Sequence, residues 1–321
     1  MSLQKHKLLG VSITVSPKDE ILHWIKQSLS IFHSQFSIIQ IVTPNPEQIV
    51  LAQKNEEFRR ILNDANIALP DGAGVVWGMR RGQKTEDRGQ KIEDGRRRAE
   101  DGERKIEGIN PPSVFHIPYS VSRISGVDFM VDLCRMAAEN HWKVLFLGGR
   151  DGAAEQALHV LQQTYKGLEG IAEDGPEVSG GTSVDPSIID SLIQTIHRNN
   201  ISMVFVGLGA PKQEYLMERL RKDIEKEENA ERSEVRGRKK NEISRSSRLS
   251  SFPLGFSVIC MSVGGSFDIL AGKVKRAPLV IQNSGFEWLW RLTQEPWRWR
   301  RQLSLLTFFW FVLWEKNTQI E

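Results

Sequence analysis

Five short apolar, β-rich runs recur along the chain, at Leu8–Val15, Phe36–Val42, Val144–Leu147, Ser202–Val206 and Phe256–Val263, and helical patterns separate them. After Asn45, the residues Leu51, Phe58, Leu62 and Ala65 fall on one helical face; after Gly126, Phe129, Leu133, Met136 and Ala137 do the same. Strands this apolar need cover on both faces, and alternating helices supply it. The pattern predicts an α/β fold: a Rossmann-like, mainly parallel sheet with helices on both faces. In such sheets ligands sit beyond the carboxyl ends of the strands, so the residues just after each run are the candidates for chemistry.

Composition narrows the class. At 321 residues, with 40% hydrophobic and 26% charged residues, the chain is globular and has ample core. Its 43 Lys+Arg against 40 Asp+Glu leave a net charge of +3, too little by itself to imply a nucleic-acid partner. Cys134 and Cys260, both in apolar surroundings, exclude a disulfide scaffold and a cysteine zinc site and read as buried, reduced thiols. The N-terminal residues lack the apolar run of a signal peptide.

Two stretches break the pattern. Arg80–Asn110 is a degenerate, mostly charged repeat with glycines at 82, 89, 95, 102 and 108; the region from about Lys222 to Ser251 is charged and Ser-rich. The first is expected to be disordered, because it holds too little apolar surface to offset ordering entropy. The second is expected to extend the preceding helix by a turn or two and then become a solvated loop. Both read as insertions (about 82–112 and 222–252) into an α/β domain spanning residues 1–272. Their mixed charge and lack of stacking groups argue against nucleic acid.

The strand ends hold polar and glycine residues. Thr43-Pro44-Asn45-Pro46 carries a helix cap at Asn45; Thr43 and Asn45 could equally hydrogen-bond a ligand at that helix start. Asp71-Gly72 follows an apolar run and is followed at once by another. It is either a plain turn or a carboxylate held at a tight bend, where partial burial would raise its basicity. Gly148-Gly149 and Gly207-Leu208-Gly209 are strand-to-helix turns through which backbone amides can approach phosphate. Gln213 and Glu214, in the first turn after Pro211, could read a base or sugar or simply satisfy free amides. Glycine-rich ends on several strands point to a nucleotide-type ligand. No His/Asp/Glu cluster has metal-ligand spacing, so no metal is expected.

Residues 273–321 differ again. Six of the nine tryptophans lie there, at 288, 290, 297, 299, 310 and 314, among Lys273, Lys275, Arg276, Arg291, Arg298, Arg300 and Arg301. The apolar run Leu303–Trp314 would span about 18 Å as a helix, too short to cross a bilayer. Arginine and tryptophan beside it suit a helix lying in a membrane interface. Packing on the core or on a second subunit is the other reading, and the second would make a homo-oligomer.

In order along the chain stand VTPNPEQIVLA (42–52), LPDGAGVVW (69–77), SRISGVDF (122–129), VLFLGGRDGAAEQA (144–157), VGLGAPKQE (206–214), VGGSFDILAGKVKRAP (263–278) and FEWLWRLTQEPWRWRR (286–301). Together they resemble the WecG/TagA/CpsF family, the bacterial glycosyltransferases of family 26, over nearly the whole chain except the two charged stretches. The resemblance implies an inverting, metal-independent transfer of an N-acetylmannosamine-type sugar from a UDP-sugar donor. The implied acceptor is N-acetylglucosamine on a polyprenyl diphosphate. It implies Asp71 as general base, Thr43, Asn45 and Gln213 as pocket residues, and Arg123 as a positioning group. Arg291, Arg298 and Arg301 would reach the diphosphate, and the C-terminal segment would be an appendage at the cytoplasmic face of the inner membrane. Residues 82–112 fall where the family has a short connection, which leaves a catalytically impaired nucleotide-sugar-binding homologue as the alternative.

Overall fold

The computed structural model describes residues 2–30, 37–81, 122–176, 178, 183–237 and 257–318, with the side chains of 227–237, 283, 298, 300 and 315–318 excluded. The first half contains β1 (Lys5–Leu8), β2 (Val11–Thr14), α1 (Lys18–Ser30), β3 (Ser37–Val42), α2 (Pro46–Lys54), α3 (Glu56–Asp64), β4 (Ile67–Ala68), α4 (73–81) and α5 (Gly126–Glu139). Then follow β5 (Lys143–Gly148), α6 (Ala153–Thr164), β6 (Glu169–Glu173), α7 (Pro186–Asn199), β7 (Ile201–Gly207), α8 (Lys212–Gly237), β8 (Ser257–Ser262) and α9 (Ser266–Leu270). The C-terminal segment adds α10 (Leu279–Asn283), α11 (Glu287–Gln294), a 3₁₀ turn at Pro296–Arg298 and α12 (Trp299–Thr318).

Six strands form one parallel sheet in the order β4-β3-β8-β7-β5-β6. Alternate residues feed opposite layers. Leu145, Leu147, Val204, Val206, Val258 and Cys260 pack with α2, α3, α7 and α8, whereas Val144, Phe146, Met203, Phe205, Ile259 and Met261 pack with α1, α5, α6 and α9. The predicted α/β class is therefore the observed one. Adjacent strands β3 and β8 send their following helices, α2 and α9, to opposite layers. That divergence opens a crevice at their carboxyl ends, the switch point where such sheets bind ligands.

Several expectations change. Leu8–Val15 is not one strand of the main sheet. Leu9 and Gly10 both take positive φ (50° and 74°), which folds the run into the antiparallel hairpin β1-β2. The helical face expected after Asn45 is two helices. Asn55 is extended (φ −132°) and caps α3 by accepting from Phe58 N, so the ridge breaks there. Strands β4 and β6, too short or too polar to stand out in the sequence, complete the two edges. Helix α8 runs through Gly237, well past Lys222, with Arg219–Asp223, Arg221–Glu225 and Glu218–Lys222 ion pairs along its surface. Residues 82–112 lie outside the described residues, as does most of the second predicted loop.

Helix α12 is longer than the apolar run and packs by one face only. Phe308 is fully buried and Val312 nearly so, while Leu303, Leu306, Trp310, Leu313 and Trp314 are exposed. Phe308 reaches α4 because Gly74 and Gly78 lie one turn apart beneath it. A Cβ on Gly78 would stand 3.1 Å from Leu8 and 3.4 Å from the Phe308 ring. Trp77 meets Phe309 edge-on, with 5.0 Å between ring centroids. The helix is thus both a core-packing element and the bearer of an exposed apolar face. Among the described residues no helix is long and apolar enough to cross a membrane. Both cysteines are buried free thiols, and burial pushes them up.

Candidate active site

A cavity of about 270 Å³ occupies the crevice. Its walls come from the loops after β3, β4, β7 and β8, from the start of α5, and from α11 and α12. Of the predicted residues, Thr43, Asn45, Asp71, Arg123, Gly209, Gln213, Arg291 and Arg301 line it.

Asp71 follows β4 at a bend where Gly72 takes φ +90°, so the Asp-Gly pair is a turn and a cavity carboxylate at once. Burial is the main influence on its carboxyl and raises it to about 6. The Arg123 guanidinium lowers it, Glu287 raises it, and the amides of Gly72 and Gly126 lower it by donating to it. Thr43 lies beside it. A Cβ on Gly126 would stand 3.2 Å from Thr43 Cγ2 and 3.8 Å from Asp71 Oδ2, so that glycine lets α5 begin against both side chains. Thr43 Oγ1 donates to Ser262 O at 3.5 Å, joining the ends of β3 and β8.

Asn45 makes the predicted cap in full. Its Oδ1 accepts from Gln48 N (3.0 Å), and Gln48 Oε1 accepts from Asn45 N (3.1 Å). Gln48 Nε2 then reaches the fully buried Glu214, whose Oε1 also accepts from Gln213 Nε2. Burial raises the Glu214 carboxyl to about 7. Glu214 does not line the cavity; it stands behind Gln213.

Arg123 binds the C-terminal segment. Its Nη1 donates to Gln282 O (3.2 Å) and its Nη2 to Glu287. Arg276 holds Asp128 through two bonds of 2.6 Å. Arg291 pairs with Glu295 through Nε, while its buried Nη2 has no hydrogen-bond partner and lies against Gly265 after β8. Arg301, at the start of α12, donates to Glu47 Oε1 at 2.8 Å on the rim. The backbone of Arg298 closes the 3₁₀ turn; its side chain lies outside the described residues.

Gly148, Gly149 and Gly207 do not line this cavity. Gly149 N donates to Gly207 O, and a Cβ on Gly148 would stand 2.8 Å from that oxygen. A Cβ on Gly207 would meet the Phe267 ring at 2.6 Å. Close packing of the β5 and β7 ends requires these glycines. The Gly264-Gly265 turn, a glycine-rich strand end noted in the sequence, lines the cavity, whereas Gln48, Glu287 and Trp288 were not expected there. Glu287 had one available signal: it is one of only two acids among the cations of residues 273–301. Among the described residues, no group of three or more His, Cys, Asp or Glu side chains could hold a metal ion.

Chemically, the cavity combines a proton acceptor of raised basicity, neutral hydrogen-bonding groups and forked cations on the side of the C-terminal segment. Two curated proteins are similar over most of the chain, each named N-acetylglucosaminyldiphosphoundecaprenol N-acetyl-beta-D-mannosaminyltransferase. The one from Bacillus spizizenii strain W23 is 27% identical over 275 residues, covering 85% of this chain and 78% of the relative. The one from Bacillus subtilis strain 168 is 27% identical over 279 residues, covering 87% and 80%. The profile of the glycosyl transferase WecG/TagA/CpsF family matches residues 6–93, 116–228 and 246–321, so the first break begins within the first charged stretch and the second lies within the second. The match extends over well more than half of the sequence and carries every wall of the cavity, so the chain belongs to the glycosyl transferase WecG/TagA/CpsF family.

Proposed function

We propose that the protein transfers an N-acetylmannosamine-type sugar from a UDP-sugar to N-acetylglucosamine carried on a polyprenyl diphosphate, inverting the anomeric centre and using no metal. The observation that carries this reading is the Asp71 carboxyl, buried beside Thr43 and Arg123 in a cavity that Arg291 and Arg301 of the C-terminal segment also line. The names of the two Bacillus relatives support the acceptor and the sugar.

In this reading the acceptor hydroxyl attacks the anomeric carbon while its proton passes to Asp71. The bond to UDP breaks on the opposite face, and the electron pair leaves with the diphosphate. Asp71 at about 6 is ionised at pH 7.5 and is still more basic than an ordinary carboxylate. Arg291, with a buried and unpartnered Nη2, supplies forked charge to phosphate oxygens, as Arg301 does from the rim. Thr43, Asn45 and Gln213 orient the sugars.

The exposed face of α12, with Trp297 and Trp299, rests in the interface of the inner membrane at its cytoplasmic side, where a lipid-linked acceptor is met. Arg123 lines the cavity although residues 82–112 precede it, which favours an active enzyme over an impaired binder. The test is a radiolabel transfer assay with EDTA present, using UDP-N-acetylmannosamine and a short-chain lipid-diphosphate-N-acetylglucosamine. Labelled product is expected; UDP binding without product on any lipid acceptor would overturn the catalytic reading.

A further inference from the structure

Glu214 is fully buried, one residue from the cavity wall, and touches none of the cavity. Its Oε1 accepts from two carboxamides, Gln48 Nε2 at 2.9 Å and Gln213 Nε2 at 2.8 Å. Each bond decides which way round its amide lies. With its NH₂ on Glu214, Gln213 turns Oε1 to accept from Gly264 N (3.0 Å), and Gln48 turns Oε1 to accept from Asn45 N (3.1 Å). One carboxyl thus ties together the chain after β3, after β7 and after β8, and these are three of the cavity's walls.

We propose that Glu214 is a positioning residue: it locks the carboxamides of Gln213 and Gln48, and through them the loops after β3 and β8, without touching substrate. Its second oxygen, Oε2, and the Ser262 hydroxyl are both buried without another hydrogen-bond partner, and Ser262 acts on the Glu214 carboxyl. The groups acting on Glu214 are Gln213 and its own backbone amide on α8, Ser262 on β8 and Gln48 on α2, and each favours the ionised carboxyl. Burial raises the Glu214 carboxyl to about 7, while the bonds donated to it favour its ionised form, so both carboxamides sense one titration.

The kinetic test rests on the proposed transfer reaction; a second readout does not. In the full-length protein, the side-chain amide resonances of Gln48 and Gln213 should titrate together with a midpoint near pH 7 and stop titrating in Glu214→Gln. Glutamine keeps the acceptor on one side and a donor toward Ser262 on the other. In transfer, Glu214→Leu should lose about tenfold or more in kcat/KM. Glu214→Gln should recover most of that loss. Gln213→Ala should cost severalfold less on top of Glu214→Leu than it does in the wild type, because the lock is already gone.

Independent amide titrations, wild-type kcat/KM in Glu214→Leu, additive losses, or a folded Glu214→Gln as damaged as the leucine variant would each overturn the proposal. If Glu214→Leu does not fold, the glutamine variant and the resonances decide. Co-titrating amides in a protein that transfers nothing would support the positioning role and refute the proposed reaction.

Discussion

The acid limb of the pH–rate profile reads the Asp71 environment directly. Burial, reinforced by Glu287, raises this carboxyl from 3.8 to about 6 against the pull of Arg123 and two backbone amides. A base must be ionised to accept a proton. With a value of about 6, the ionised fraction climbs from about 0.09 at pH 5 to about 0.5 at pH 6, so kcat/KM should rise about fivefold. An ordinary carboxylate at 3.8 would give a rise of less than about 1.1-fold over the same interval. The same shift sets a stability cost. Between pH 3.8 and 6 the unfolded chain ionises Asp71 while the folded protein keeps it protonated, so stability falls as pH rises through that window. The cost is complete above pH 6, at up to about 3 kcal/mol. Asp71→Asn should therefore lose about 10²–10⁴ in rate yet melt higher than wild type at pH 7.5, with the advantage nearly gone at pH 4. The assays are initial rates at subsaturating donor and acceptor from pH 4.5 to 7 and thermal melts of both proteins. A rate flat from pH 5 to 6, or a variant destabilised at pH 7.5, would refute the reasoning.

Glu287→Gln removes the negative charge that raises Asp71 and leaves Arg123 unneutralised, so the acid limb should move to lower pH; a limb moving upward would contradict the assigned sign. Phe308→Ala removes a fully buried ring from between α12 and α4, a loss of about 3–5 kcal/mol or 10²–10⁴ in the docking equilibrium. Amide exchange should accelerate in α12 and not in β7 or β8; uniform acceleration would show that α12 unfolds only with the whole sheet. Truncation after Val280 deletes Glu287, Arg291, Arg301 and the exposed apolar face. It should end sedimentation with anionic liposomes and abolish transfer to long-chain acceptors, and unchanged sedimentation would remove the membrane role. Arg291→Lys should raise KM for the donor more than it lowers kcat, since a point charge replaces a fork at Gly265; an unchanged KM with kcat and kcat/KM falling equally would assign Arg291 to the transition state alone.

Periodicity in the sequence determined the layered α/β architecture, because a residue buried between a strand and a helix must be apolar wherever it lands. The Asn45 cap, the Asp71-Gly72 bend and the amphipathic face of α5 were legible for the same reason: each is written in residues a few positions apart. The hairpin in Leu8–Val15 was legible only in part, since positive φ at a non-glycine residue, Leu9, leaves no mark in composition. Convergence was a different matter. Asp71, Arg123 and Glu287 come from β4's end, the approach to α5 and α11, and only the sheet order β4-β3-β8-β7-β5-β6 brings them to one cavity. The same order separates the glycines of one motif type, sending Gly209 to the cavity wall and Gly148, Gly149 and Gly207 to strand-end packing. The sequence by itself thus determined which residue types could do chemistry and which segments would be strands or helices. Tertiary structure alone decided which of them meet, and with that the burial and the neighbouring charges that move Asp71 and Glu214 in pKa, because both effects depend on distances between residues far apart in the chain.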